Sequence, residues 1–144
     1  MSNIIFAAHQ PNFLPYLGFF EKMIKADIFV IRDEVLFIKK DSHQRNKIRI
    51  NSNDNIINPQ SKWLKVPVED KKDFIKHIPI LNKSKLNSFP WNVSIINDIK
   101  LNYNTTPYFN EFFPLFERLF DDSDDKLIDY NMNIIKQFKK IFNI

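Results

Sequence analysis

The chain has 144 residues, 44% of them apolar, with 21 Lys and Arg against 17 Asp and Glu and a formal net charge of +4. That length and apolar share describe one domain, residues 1–144, with one core, and exclude a disordered chain. The single glycine, Gly18, excludes a Walker A loop and the dinucleotide fingerprint, and the lack of cysteine excludes disulfides, thiolate zinc sites and a thiol nucleophile.

Ile4 to Ala8 is a short apolar run ending at a polar turn, the pattern of a buried strand. It is too short for a signal h-region, and no other apolar run is long enough to span a membrane, so the expected location is cytoplasmic. His9-Gln10-Pro11-Asn12 opens an irregular stretch, because Pro11 and Pro15 each fix φ and lack an N–H. Tyr16 to Lys25 carries Phe19, Phe20, Met23 and Ile24 on one stripe and predicts a helix. Ile28–Ile31 predicts a second buried strand, parallel to the first. The expectation is an α/β fold with a Rossmann-like strand–loop–helix–strand opening, in which ligands sit in the crevice beyond the strand ends.

His9, Gln10, Asn12 and Asp33 stand at those ends. An imidazole titrates near neutrality, which makes His9 a candidate acid/base; the alternative is a strand-end histidine that only orders the loop. Gln10 and Asn12 bring amides that are costly to bury without partners. Asp33 and Glu34 point to opposite sides of an extended chain. Asp33 is the one read as facing the crevice, where it would hold a hydroxyl, a metal-bound phosphate or Arg45.

Val35 to Ile38 reads as a short extended piece. From Arg32 to Arg49 the chain is rich in cations, which suits a phosphate-bearing ligand or, equally, a solvated basic surface. Ser42 to Asn46 reads as a turn. It contains Arg45, whose fork can clamp an anion, beside His43 and Asn46 as further ligand contacts. His9, His43 and Asp33 obey no metal-ligand spacing rule, so no metal is expected.

Lys47–Ile50 and Lys62–Val66 alternate polar and apolar and predict a β-hairpin with a long loop. Asp70 to Phe89 has mixed periodicity, with Pro79 opposing a helix and His77 expected to be exposed. Trp91 to Tyr103 predicts a helix with Val93, Ile96, Ile99 or Lys100, and Tyr103 on one side, Ser88 as cap and Pro90 in its first turn. Tyr108 to Phe120 predicts another, with Pro114 kinking it or moving its start later. Asp121 to Asp125 is expected to cap the last helix, Leu127 to Ile144; an EF-hand would need a glycine turn and a late Glu.

The order of several motifs resembles the WbqC-like protein family. They are His9-Gln10-Pro11-Asn12-Phe13-Leu14-Pro15-Tyr16-Leu17-Gly18-Phe19-Phe20, Ala26-Asp27-Ile28-Phe29-Val30, Arg45-Asn46-Lys47-Ile48 and Trp63-Leu64-Lys65-Val66-Pro67-Val68, followed by Trp91, Asn102-Tyr103 and Pro107-Tyr108-Phe109. The resemblance implies a role in surface-polysaccharide (O-antigen) or glycan-precursor biosynthesis, with a phosphorylated or nucleotide-sugar ligand. It assigns no reaction and no cofactor. It marks His9, Gln10, Pro11, Asn12, Pro15, Gly18, Arg45 and Asn46. It also implies a chain that runs further, so a C-terminally short form would leave an apolar sheet edge for a protein partner or a second copy. The alternative is a non-catalytic accessory subunit. Nucleic acid is the least supported partner, resting only on a basic balance. The opening is also similar to that of the HIGH-motif nucleotidyltransferases, but their histidines would fall at Tyr16 and Phe19, which argues against that mechanism.

Overall fold

The computed structural model describes residues 3–50, 60–81, 90–120 and 125–144. Strand β1 (Phe6–His9) leads through the proline loop to helix α1 (Leu17–Lys25) and strand β2 (Ile28–Ile31). The two strands pair in parallel, with Phe6 opposite Ile28 and His9 opposite Ile31. Tyr16 precedes the helix in an extended conformation, and its ring lies where a methyl group on Gly18 would be. α1 packs Phe19 and Phe20 against Phe29 and Ile31 of the sheet and Ile135 of the last helix.

The expectation that both strands are buried is corrected. Ile4, Ile5, Phe6, Ile28 and Val30 are exposed, Phe6 to 63%. Apolar runs mark strands that a larger sheet would cover on both faces. Among the described residues this sheet has two strands, and α1 covers one face.

Strands β3 (Arg45–Arg49) and β4 (Ser61–Lys65) form the expected antiparallel hairpin, with Arg45 opposite Lys65 and Lys47 opposite Trp63. Arg45 and Asn46 are therefore strand residues rather than turn residues. Most of the hairpin loop, residues 51–59, lies outside the described residues. The extended piece at 35–38 is present as a single bridge, Leu36 to Phe74. A 3-10 turn, Ile75–His77, follows, and His77 is exposed and bound to Asp73 at 2.9 Å.

Helices α2 (Trp91–Tyr103), α3 (Phe109–Phe120) and α4 (Leu127–Phe142) make up the C-terminal half. The buried residues of α2 are Ile95, Ile99 and Asn102; of the expected side Ile99 is buried and Ile96 and Tyr103 pack partly buried against the core, so the buried face is turned toward Ile95. Pro90 stands at its N-cap position, and Ser88 lies outside the described residues. α3 runs through Pro114 from Phe109, so the proline does not delay its start.

The capping expected from the acidic cluster falls mostly on residues 121–124, outside the described ones. Lys126 is the N-cap residue and makes no side-chain cap. Backbone bonds hold the start of α4 instead: Leu127 N–H donates to Ile78 O at 2.9 Å and Ile80 N–H to Asp125 O at 2.8 Å. At its other end Asn143 takes the left-handed conformation (φ 55°), and N–H groups of Asn143 and Ile144 return to Lys140 and Lys139.

The main core gathers Phe13, Leu64, Val66, Ile75, Ile78, Phe113, Phe120, Leu127, Tyr130 and Ile134. α4 serves both this core, through Ile134, and the smaller one under α1, through Ile135. Among the described residues no helix is long and apolar enough to cross a membrane.

Candidate functional site

Loop 10–16 leaves the end of β1 and turns inward, burying Pro11, Asn12 and Phe13. An irregular backbone inside a protein must find partners for its amides and carbonyls. Phe13 N–H donates to Ser42 O at 2.9 Å. Asn46 Nδ2 donates to Leu14 O. Asn131 Nδ2, from the buried face of α4, donates to both Pro11 O and His43 O at 2.8 Å. The loop is thus clamped to the 42–46 segment, and one asparagine of α4 is the common link.

Buried polar atoms of the loop, the 42–46 segment and α4 are left without partners. Among the described residues the buried Asn12 Oδ1, His43 Nε2, Gln44 Oε1, Arg45 Nε and Asn131 Oδ1 make no hydrogen bond. Groups of this kind carry a desolvation cost that folding alone does not require. Because Asn131 Nδ2 serves two carbonyls, its Oδ1 is identified as the free acceptor.

The two imidazoles have complementary states. His9 Nδ1 lies 2.9 Å from Gln10 O, which can only accept, so Nδ1 carries the proton and neutral His9 presents Nε2 as an acceptor. His43 is 1% exposed, and its Nδ1 accepts the Ile38 N–H at 3.4 Å, so its Nε2 carries the proton and can donate. Burial holds the His43 imidazole below the usual histidine range; Asp41 opposes this, and the nearby His9 adds to it. Phe19 packs edge-on against His9 with ring centres 5.1 Å apart.

The other expected site residues divide. Asn46 is committed to structure: its amide holds Leu14 O and its Oδ1 accepts the Lys47 N–H at 2.7 Å. Arg45 leaves the opposite face of β3 and lies 3.9 Å over the Trp63 ring, on the same side as Lys47. Gln10 is half-buried at the mouth of the loop. Asp33 stands near Lys76, whose ammonium is bound by Glu34 at 2.8 Å and held above its usual range first by that bond. No ion pair joins Asp33 to Arg45 among the described residues. No group of three or more His, Cys, Asp or Glu among them could hold a metal ion.

Sequence reasoning missed Asn131. Its signal was a polar residue within the apolar stripe Leu127, Tyr130, Ile134 and Ile135.

The model of the WbqC-like protein family matches residues 10–144. The chain is also 26% identical over 102 residues to the uncharacterized protein Rv1507c of Mycobacterium tuberculosis (strain ATCC 25618 / H37Rv), a match covering 71% of this chain and 40% of that protein. The chain therefore spans less than half the length of this curated relative. No solved structure matches.

Proposed function

The chain belongs to the WbqC-like protein family, and from that premise we propose that it binds a phosphorylated or nucleotide-linked sugar of glycan-precursor biosynthesis at the clamped loop. The observation that supports this reading is the set of buried polar atoms without partners. Three are amide oxygens, on Asn12, Gln44 and Asn131, and two are N–H donors, on His43 and Arg45. Sugar hydroxyls both donate and accept, so one polyol can serve the three amide oxygens and the His43 N–H. Gln10 and Asn12 orient the sugar. The fork of Arg45, flattened on Trp63, takes the phosphate at the rim. His9 is the acid/base, its Nε2 receiving a hydroxyl proton while the His43 Nε2–H supports the charge that develops on oxygen. Asp33, beyond the end of β2, is the carboxylate assigned to a further hydroxyl. In a second reading the same pocket binds without turnover in an accessory subunit; the bare face of the β1–β2 sheet favours it, because it suits a partner.

Thermal unfolding of the protein with panels of nucleotides, nucleotide sugars and sugar phosphates tests the reading. One class at about 100 times its Kd should stabilise the fold by about 2.7 kcal/mol. Arg45→Ala should lose most of that shift, whereas His9→Ala should keep it and lose turnover. A folded protein that none of these compounds stabilises would refute the site. Binding without turnover would leave the accessory role.

A further inference from the structure

A cavity opens between β3, α2 and α3, about 280 Å³ in volume. Leu14, Ile48, Ile99, Phe109, Phe113 and Phe116 form most of its wall. The polar groups of two other lining residues are already engaged. Thr106 Oγ1 donates to Tyr103 O at 2.6 Å, and Tyr103 Oη accepts the Arg49 N–H at 3.1 Å. The interior is therefore apolar, and it does not repay a polar guest for lost water.

Backbone strain singles out this cavity. Four non-glycine residues among those described have positive φ: Leu14 (45°), Lys40 (70°), Tyr108 (64°) and Asn143 (55°). Asn143 closes a helix, where that conformation is routine. Leu14 and Tyr108 are bulky, for which it is unusual, and both line this one cavity. Strain of this kind gathers at ligand clamps. Leu14 also ties the cavity to the polar site. It lies two residues beyond Asn12, so the two Cα atoms are at most about 7 Å apart, and its carbonyl is held by Asn46.

We propose that this cavity binds a saturated hydrocarbon chain, and that the ligand is a sugar or phosphate head joined to an alkyl or acyl tail. The tail enters beside Leu14, and its head reaches the loop that holds Asn12. The assignment of the head rests on the function proposed above; the assignment of the tail does not. A water-sized group occupies about 30 Å³, and a methylene is close to that, so a chain of about nine carbons fills the space.

Titration of the intact protein with straight-chain alcohols from butanol to dodecanol, followed by calorimetry, tests the tail alone. Affinity should rise about fourfold per methylene, then level off near nonanol as the cavity fills. Thr106→Trp, at the exposed mouth, should weaken nonanol at least tenfold with an unchanged urea midpoint. Phe112→Asp, also at the rim, is the second variant should the first disturb folding. Arg45→Ala should leave nonanol binding intact, so failure of the head site and failure of the tail site are read separately. Binding that does not saturate, that keeps rising through dodecanol, or that survives both rim variants would overturn the proposal. So would a dimer that nonanol converts to monomer, since the cavity would then belong to a second copy of the chain.

Discussion

At the scale of single residues, His43 shows how position sets protonation. Its burial makes the imidazolium costly, so its folded pKa is below the 6.5 of a free imidazole. Between that folded value and 6.5 the unfolded chain binds more protons than the native state, so stability rises with pH across this window. It is lost as pH falls below about 6.5. The urea midpoint should therefore drop between pH 7.5 and pH 5.5, and His43→Gln should flatten the dependence. An equal drop in the variant would assign it elsewhere. The polar loop that carries His9 and Asn12 was legible in the sequence, because polar groups stood where an apolar run ended; His43 was read only as part of the turn before the hairpin. The side that Arg45 takes was not legible, because reading it in a turn hid the alternation along β3 that turns Arg45 to the Trp63 side while Asn46 faces Leu14. Asn131 was hidden for another reason. A helix pattern identifies a stripe, yet nothing local says that a distant loop needs a donor there.

At the scale of elements, α3 carries an identifiable defect. Pro114 lies inside the helix and has no N–H for the carbonyl of Asn110 one turn earlier. Phe113, Leu119 and Phe120 are nevertheless buried on the same helix, so tertiary packing outweighs the local preference. Pro114→Ala should raise stability by about 1–3 kcal/mol, measured by urea denaturation. A neutral or negative result would mean that the proline fixes a bend the packing requires. The hairpin, β2 and α2 could be read from the sequence to within a residue or two: alternation marks the hairpin, a short apolar run marks β2, and Pro90 and Pro107 bracket α2. The burial of β1 and β2 could not. An apolar run reports that a strand suits a covered position, and the number of neighbouring strands is decided by the rest of the sheet.

At the scale of the whole molecule, the β1–β2 sheet and the residues before it leave large apolar side chains exposed. Phe6, Ile28 and Val30 lie on two paired strands and Ile4 and Ile5 just precede the first; contiguous apolar patches mark interaction surfaces or association hazards. We expect self-association that strengthens with concentration in light scattering. Phe6→Lys with Ile28→Lys should suppress it without lowering the urea midpoint, and a wild-type chain monodisperse at millimolar concentration would contradict this. The clamp on the polar loop has a different consequence, in time rather than space. Asn131 and Pro11 are 120 residues apart. A contact between such distant positions forms late, because a long loop must close before it is rewarded. On the ribosome, the loop after β1 waits for the 120 residues that separate Pro11 from Asn131 to be synthesised. Until α4 emerges and docks, Pro11 and His43 lack the amide that joins them, and the clamp does not yet exist.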